Sequence, residues 1–285
     1  MASLSLESRA EPNSTEQRVF DILNDYVQPS STTPAGEAAQ AIHALTPKAG
    51  STQEEKSELE NFLWSIWGAI IEIAKQIRHN QASQDRLVDL IHALTELPPT
   101  TVSIWSSETR LWKDLPLLGP ALREAWNRTY LSDNSATMLT AQAPTYTKSN
   151  DQAIAEWINL QAFTARLMSK CDPSLSLFAV WSLRSGLEEK LSDRELDGEV
   201  AAAAMWMVYG GETLFSQLAD AVQDEEKERM MKPGTLYSGQ GQLCKERWQF
   251  WKRRFGEMSE QVQVNEETQE VIRLAREKME KIEQQ

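Results

Sequence analysis

The segment Glu54–Arg78 constrains this chain more than any other. At 100° per residue, Leu59, Phe62, Leu63, Ile66, Trp67, Ile70, Ile73, Ala74 and Ile77 fill one broad sector, while Asn61, Ser65, Glu72, Lys75 and Gln76 fill the opposite one. A helix this long, with so wide an apolar arc, is buried most readily among other helices. The rest of the chain agrees. Twelve glycines and eleven prolines in 285 residues fall short of the roughly 12% average for the pair, which disfavours a turn-rich sandwich or barrel. No strand-like alternation lasts five residues, and no fixed-period repeat is present. The expected fold class is all-α, with about ten helices in one irregular multi-helix domain or two helical subdomains.

Residues 1–14 are polar, carry Pro12, and read as a disordered start. An N-terminal helical part covers 15–131. Thr15 caps its first helix, Pro34 sits in the first turn of the second, and Pro98-Pro99 stops the helix that begins at Ser83. A connection bearing Ile104, Trp105 and Trp112 then leads to a helix at about 120–131. Residues 132–150 are polar and aperiodic, a loop that marks the expected subdomain boundary. A C-terminal helical part covers 151–260, with helices near 151–170, 175–191, 198–221 and 242–259. The last stretch, 261–285, reads as a peripheral charged helix. Its narrow stripe of Val264, Val271, Ala275, Met279 and Ile282 is flanked by Ile272 and Leu274 and predicts weak docking on its own domain or on a partner.

Composition excludes several classes of function. Acidic residues outnumber basic ones 42 to 29, for a net charge of −13, which argues against nucleic acid as a partner. The longest apolar run, Ala201–Tyr209, is half a membrane span, and the opening residues lack an apolar leader core, so no membrane association and a cytoplasmic location are expected. Cys171 and Cys244 are too few for a disulfide framework. His43, His79 and His92 show no metal-ligand spacing. No cofactor is implied.

Individual motifs are thin. Gly239-Gln240-Gly241 opens a helix without a preceding strand or a P-loop lysine, and reads as a turn. Gly210-Gly211, beside Ala201–Ala204, reads as a site of close helix–helix approach. In KERWQFWKRRF (245–255), Lys245, Lys252, Arg253 and Arg254 point in several directions, so Trp248, Trp251 and Phe255 are expected to pack inward beneath a solvated face. One constellation stands out. In the helix 175–191, Leu177, Val180, Trp181, Leu187 and Leu191 share one apolar sector, and Arg184 and Glu188 lie at its centre. A guanidinium there must be paired. Glu188, four residues on, is one candidate partner, and Glu212 of the helix 198–221 is another. Two readings follow: an internal ion pair that fixes helix register, or a polar anchor at the floor of a ligand pocket. Ten tryptophans, Trp181 and Trp206 among them, suit either a core or an aromatic cleft.

The segments LWSIWGAIIEIAKQI, QDRLVDLIHALTELPP, LPLLGPALREAWN, DPSLSLFAVWSLRSGLEE, DGEVAAAAMWMVYGGETL and ERWQFWKRRF together resemble a fungal family catalogued as a domain of unknown function, number 3632, over about residues 55–260. The resemblance implies a soluble, all-helical fungal protein of the kind found beside specialised-metabolism genes. It supplies no catalytic residues.

Residues and resemblance together predict a non-catalytic helical binding or accessory protein whose partner is a protein or a small apolar ligand. The alternative is an enzyme or carrier acting on an aromatic or apolar metabolite through a Trp-lined cleft, with Trp181, Arg184, Glu188, Trp206 and Glu212 as its ligand-binding residues. A pocket of roughly 300–1,000 Å³ that contains Arg184 would favour the alternative.

Overall fold

The computed structural model describes residues 3–8, 11, 14–48, 50, 52–130, 150–218, 225–260 and 264–285. Among them are eleven α-helices: α1 (Thr15–Val27), α2 (Ala35–His43), α3 (Gln53–Gln76), α4 (Ala82–Thr95), α5 (Leu118–Tyr130), α6 (Asn150–Lys170), α7 (Ser176–Leu183), α8 (Asp193–Ser216), α9 (Glu225–Met230), α10 (Lys245–Ser259) and α11 (Glu266–Glu283). The fold is predominantly all-α, as the periodicity predicts. Residues 1–159 form one compact unit and residues 160–285 another, so the division falls within α6. The expected loop at 132–150 lies outside the described residues, apart from Asn150, which opens α6.

In the first unit, α1 packs on α2, α3 and α4, and α3 packs on α5. The apolar sector of α3 is the core: Leu63, Ile66, Trp67, Ile70, Ile73 and Ala74 are fully buried. Burying helix ends strands carbonyls that need donors, and polar residues of α4 supply them. Gln84 donates to Ala74 O and Ile77 O at the end of α3. Ser83 donates to Val27 O, and Arg86 to Tyr26 O, at the end of α1. The first N-cap is Ser14 and not Thr15, since the Ser14 side chain accepts from Gln17 N.

A small antiparallel hairpin, β1 (Thr100–Ile104) and β2 (Ser107–Leu111), replaces the expected irregular connection. Only Val102, Ile104 and Leu111 face inward, too few to print an alternation. The two-residue turn is Trp105-Ser106, with φ of 49° and 64°. Both are positive, as a tight hairpin turn demands, and neither residue is the usual Asn or Gly.

In the second unit, α8 packs against α7 and α11, and α10 packs against α11. The helix expected at 175–191 is shorter and less regular. A 3₁₀ turn at Pro173–Leu175 enters α7, which ends in a π-helical turn at Arg184–Glu188. The wider π turn shifts side chains off the 100° progression. Gly186, inside it, lies so close to α8 that a Cβ would come within 2.6 Å of Glu199 O. The glycine pair on α8 also marks close approach, Gly210 to Met168 and Gly211 to Ile282. Helix α11 buries more than its expected stripe: Thr268 and Ile272 join Val271, Ala275, Met279 and Ile282 against α8 and α10. Seven of the ten tryptophans are buried, while Trp64 and Trp181 are half-buried and Trp105 is exposed.

Candidate functional site

Three of the five residues singled out at sequence level come together, and what they hold is the chain itself. Trp181 Nε1 donates to Met230 O at 2.9 Å, Arg184 Nη1 to Lys232 O at 3.4 Å, and Gly234 N donates to Glu188 Oε2 at 2.8 Å. Leu236 N adds a bond to Glu188 O. The polar face of α7 and its π turn is therefore occupied by residues 230–236. Trp206 lies elsewhere, fully buried on α8 with its indole N–H donated to Gln161 Oε1. Glu212 is exposed and paired with Lys278 of α11.

The expected pairing of Arg184 with Glu188 or Glu212 is not what forms. Arg184 is half-buried, and Glu188 binds Arg247 of α10. Both side chains of that pair are completely buried. Glu188 Oε1 accepts from Arg247 Nε and Trp251 Nε1, each at 2.7 Å, and Oε2 accepts from Arg247 Nη2 at 3.0 Å. Arg247 Nη1 donates to Met231 O and Gly241 O at 2.7 and 2.8 Å. A buried ion pair tolerates desolvation only when such bonds complete it, and these bonds saturate the carboxylate. The clamp ties the π turn, the 231–241 segment and α10 into one body, and it holds register. It has no spare valence for a ligand.

Arg247 was missed among four more conspicuous basic neighbours. Its signal was present: it precedes Trp251 by one helical turn and sits beside the apolar arc of Trp248 and Phe255. Cys244 is the buried N-cap of α10, so Gly239-Gly241 precedes the helix without opening it.

Glu199 of α8 is the other buried carboxyl among the described residues. Its Oε2 has no hydrogen-bond partner among the described residues. Burial, with the Glu195 carboxylate one turn away, pushes it up to about 7. Among the described residues no three His, Cys, Asp or Glu side chains are grouped to hold a metal ion, and no helix is long and apolar enough to cross a membrane.

Space for a ligand occurs in the first unit. A cleft of about 460 Å³ opens between α1, α3, α5 and the extended residues 7–8. Phe20, Trp64, Ala69, Ile71, Ala121 and Ala125 make its apolar wall. Gly68 stands mid-helix on the same surface, where an added Cβ would meet nothing within 4 Å. Glycine inside a helix costs about 1 kcal/mol relative to alanine. Here no neighbour demands it, and the open space beside it is the cleft. Around the rim lie Glu7, Glu16, Glu72 and Glu124, with Lys75 paired to Glu72 at 2.8 Å. Lys75, expected on a solvated face, is buried.

The opening segment supplies one wall. Residues 3–8 form no helix or strand, yet two glutamine amides grip their backbone as a neighbouring strand would. Gln28 Oε1 accepts from Leu4 N while Gln28 Nε2 donates to Leu4 O. Gln76 does the same for Glu7 N and Glu7 O. A larger groove of about 510 Å³ lies along α11, lined by charged residues such as Arg273, Glu270 and Glu277 that already pair with one another. It lacks an apolar floor.

Among the described residues, fold and site define a predominantly helical protein with an apolar, acid-rimmed cleft and a closed ionic clamp. The chain belongs to the family DUF3632, a protein of unknown function, whose profile matches residues 67–255. No curated protein and no solved structure is detectably similar to it.

Proposed function

We propose that this chain is a non-catalytic binding protein, an accessory of fungal specialised metabolism that holds a small, mainly apolar ligand in the cleft between α1, α3 and α5. The observation that carries this reading is the cleft itself, a space of about 460 Å³ with an apolar wall in which Gly68, a helix-weakening residue with no neighbour within 4 Å of an added Cβ, faces the open space. The volume suits a small organic molecule, and apolar walls with a few polar groups are the common composition of such sites. Ser65 and Glu16 both line the cleft, and Ser65 Oγ donates to Glu16 at 2.6 Å. Arg184 is not among the residues that line this cleft, and Trp181, Arg184 and Glu188 bond residues 230–234 of the chain instead.

The test is a titration with the neutral apolar fluorophore N-phenyl-1-naphthylamine. The wild-type protein is expected to bind it saturably. Gly68→Leu, which projects four carbons into the cleft, is expected to bind at least about tenfold more weakly while melting no lower than wild type. Equal affinity in the two proteins, or no binding by wild type, would overturn the reading.

A further inference from the structure

We infer that the ligand of the α1–α3–α5 cleft is an organic ammonium compound with a compact apolar body, an inference that rests on the binding role proposed above. Four carboxylates surround the cleft, each from a different segment: Glu7 from the extended opening residues, Glu16 from α1, Glu72 from α3 and Glu124 from α5. The cation beside them, Lys75, is buried and tied to Glu72. Among the described residues the rim therefore carries four carboxylates against one ammonium around an apolar interior. Carboxylates at the mouth of a low-dielectric cleft focus potential on what enters, favouring a cation over a neutral analogue and opposing an anion.

The walls fit the same ligand. Phe20 and Trp64 are half-buried and line the cleft, and the face of an indole or phenyl ring attracts an ammonium group. Neither the −13 net charge of the chain nor an isolated acidic patch explains this arrangement, because the acids ring an aperture with an apolar floor. A simple metal cation would gain the charge and waste the floor. A neutral hydrocarbon would gain the floor and waste the charge. A protonated amine on a ring or short chain uses both.

The experiment compares three probes of one shape and different charge: 1-naphthylmethylamine, 1-naphthalenemethanol and 1-naphthoate, each titrated against the full chain by displacement of N-phenyl-1-naphthylamine. The amine is expected to bind about tenfold more tightly than the alcohol at low salt, and the carboxylate more weakly than either. The amine preference should shrink severalfold in about 0.5 M salt and in the double variant Glu16→Gln/Glu124→Gln. Gly68→Leu should lose the amine as well, which separates binding in the cleft from attraction to the acidic surface at large. Equal binding of amine and alcohol, or amine binding undiminished by Gly68→Leu, would overturn the inference and leave the cleft as a site for apolar ligands. Failure of N-phenyl-1-naphthylamine itself to bind would overturn both.

Discussion

Replacing Arg247 with Met keeps the length and apolar stem of the side chain and removes the guanidinium, and its consequence can be worked bond by bond. Four hydrogen bonds disappear: two to Glu188, and one each to Met231 O and Gly241 O. Glu188 keeps Trp251 Nε1 and Gly234 N as donors, but its charge stays completely buried without a countercharge. Breaking a buried pair from one side costs about 3–5 kcal/mol. The two abandoned carbonyls push the total toward the upper end of that range. Even a loss of about 4 kcal/mol, the middle of that range, corresponds to a fall in Tm of roughly 8–16 °C for a chain of this size. Thermal and guanidinium unfolding followed by far-UV circular dichroism reads the loss, and hydrogen exchange should localise it to residues 184–188 and 231–250. The double variant Glu188→Gln/Arg247→Met removes the orphaned charge, so it should be more stable than Arg247→Met alone. Arg184→Met, at a half-buried site with a single long hydrogen bond, should cost less than about 1 kcal/mol. An Arg247→Met protein as stable as Arg184→Met, or a double variant less stable than the single, would refute the assignment of the clamp.

Two further outcomes are expected. Because Glu199 ionises near 7 in the folded chain against its ordinary 4.5, burial of its charge should lower stability progressively as pH rises between those values, by about 3 kcal/mol in all, with no penalty below 4.5. Glu199→Gln should therefore gain on wild type at pH 8 and not at pH 4.5 in paired thermal melts, and a pH-independent difference would contradict this. Deleting residues 261–285 removes Val271, Ile272, Met279 and Ile282 from the core, at about 1.5–3 kcal/mol each, a sum comparable to the whole stability of a domain; the truncated chain should lose the cooperative unfolding of residues 160–260, and retention of a near-native Tm would show that α11 is dispensable.

The helices were legible because their apolar residues keep time with the backbone. Leu59 to Ala74 on α3 and Leu87 to Leu94 on α4 needed no tertiary information to be placed inward. What failed to show is where local geometry leaves that rhythm. The π turn at Arg184–Glu188 inserts a wider loop, so an i, i+4 pairing drawn on a regular wheel joins the wrong partners. The hairpin hides because two strands with three inward side chains and a Trp-Ser turn carry almost none of the usual signal. The cleft was invisible for a different reason. It lies on the polar sector of α3, where Ser65, Glu72 and Lys75 suggest solvent, and only the arrival of α1, α5 and residues 7–8 turns that sector into a concavity. Polar positions on an amphipathic helix show that it avoids the core; they do not show what else they face.

The clamp also fixes an order of events during synthesis. Glu188 leaves the ribosome long before the residues that satisfy it: Gly234 follows 46 positions later, Arg247 59 and Trp251 63. At typical elongation rates of about 5–20 residues per second, the carboxylate waits several seconds for its guanidinium. Until then the end of α7 has no reason to leave water, because desolvating an unpaired carboxylate costs more than packing Leu187 returns. The clamp can therefore close only after α10 has been made. Nascent chains that end before Arg247 should hold the 184–188 turn open.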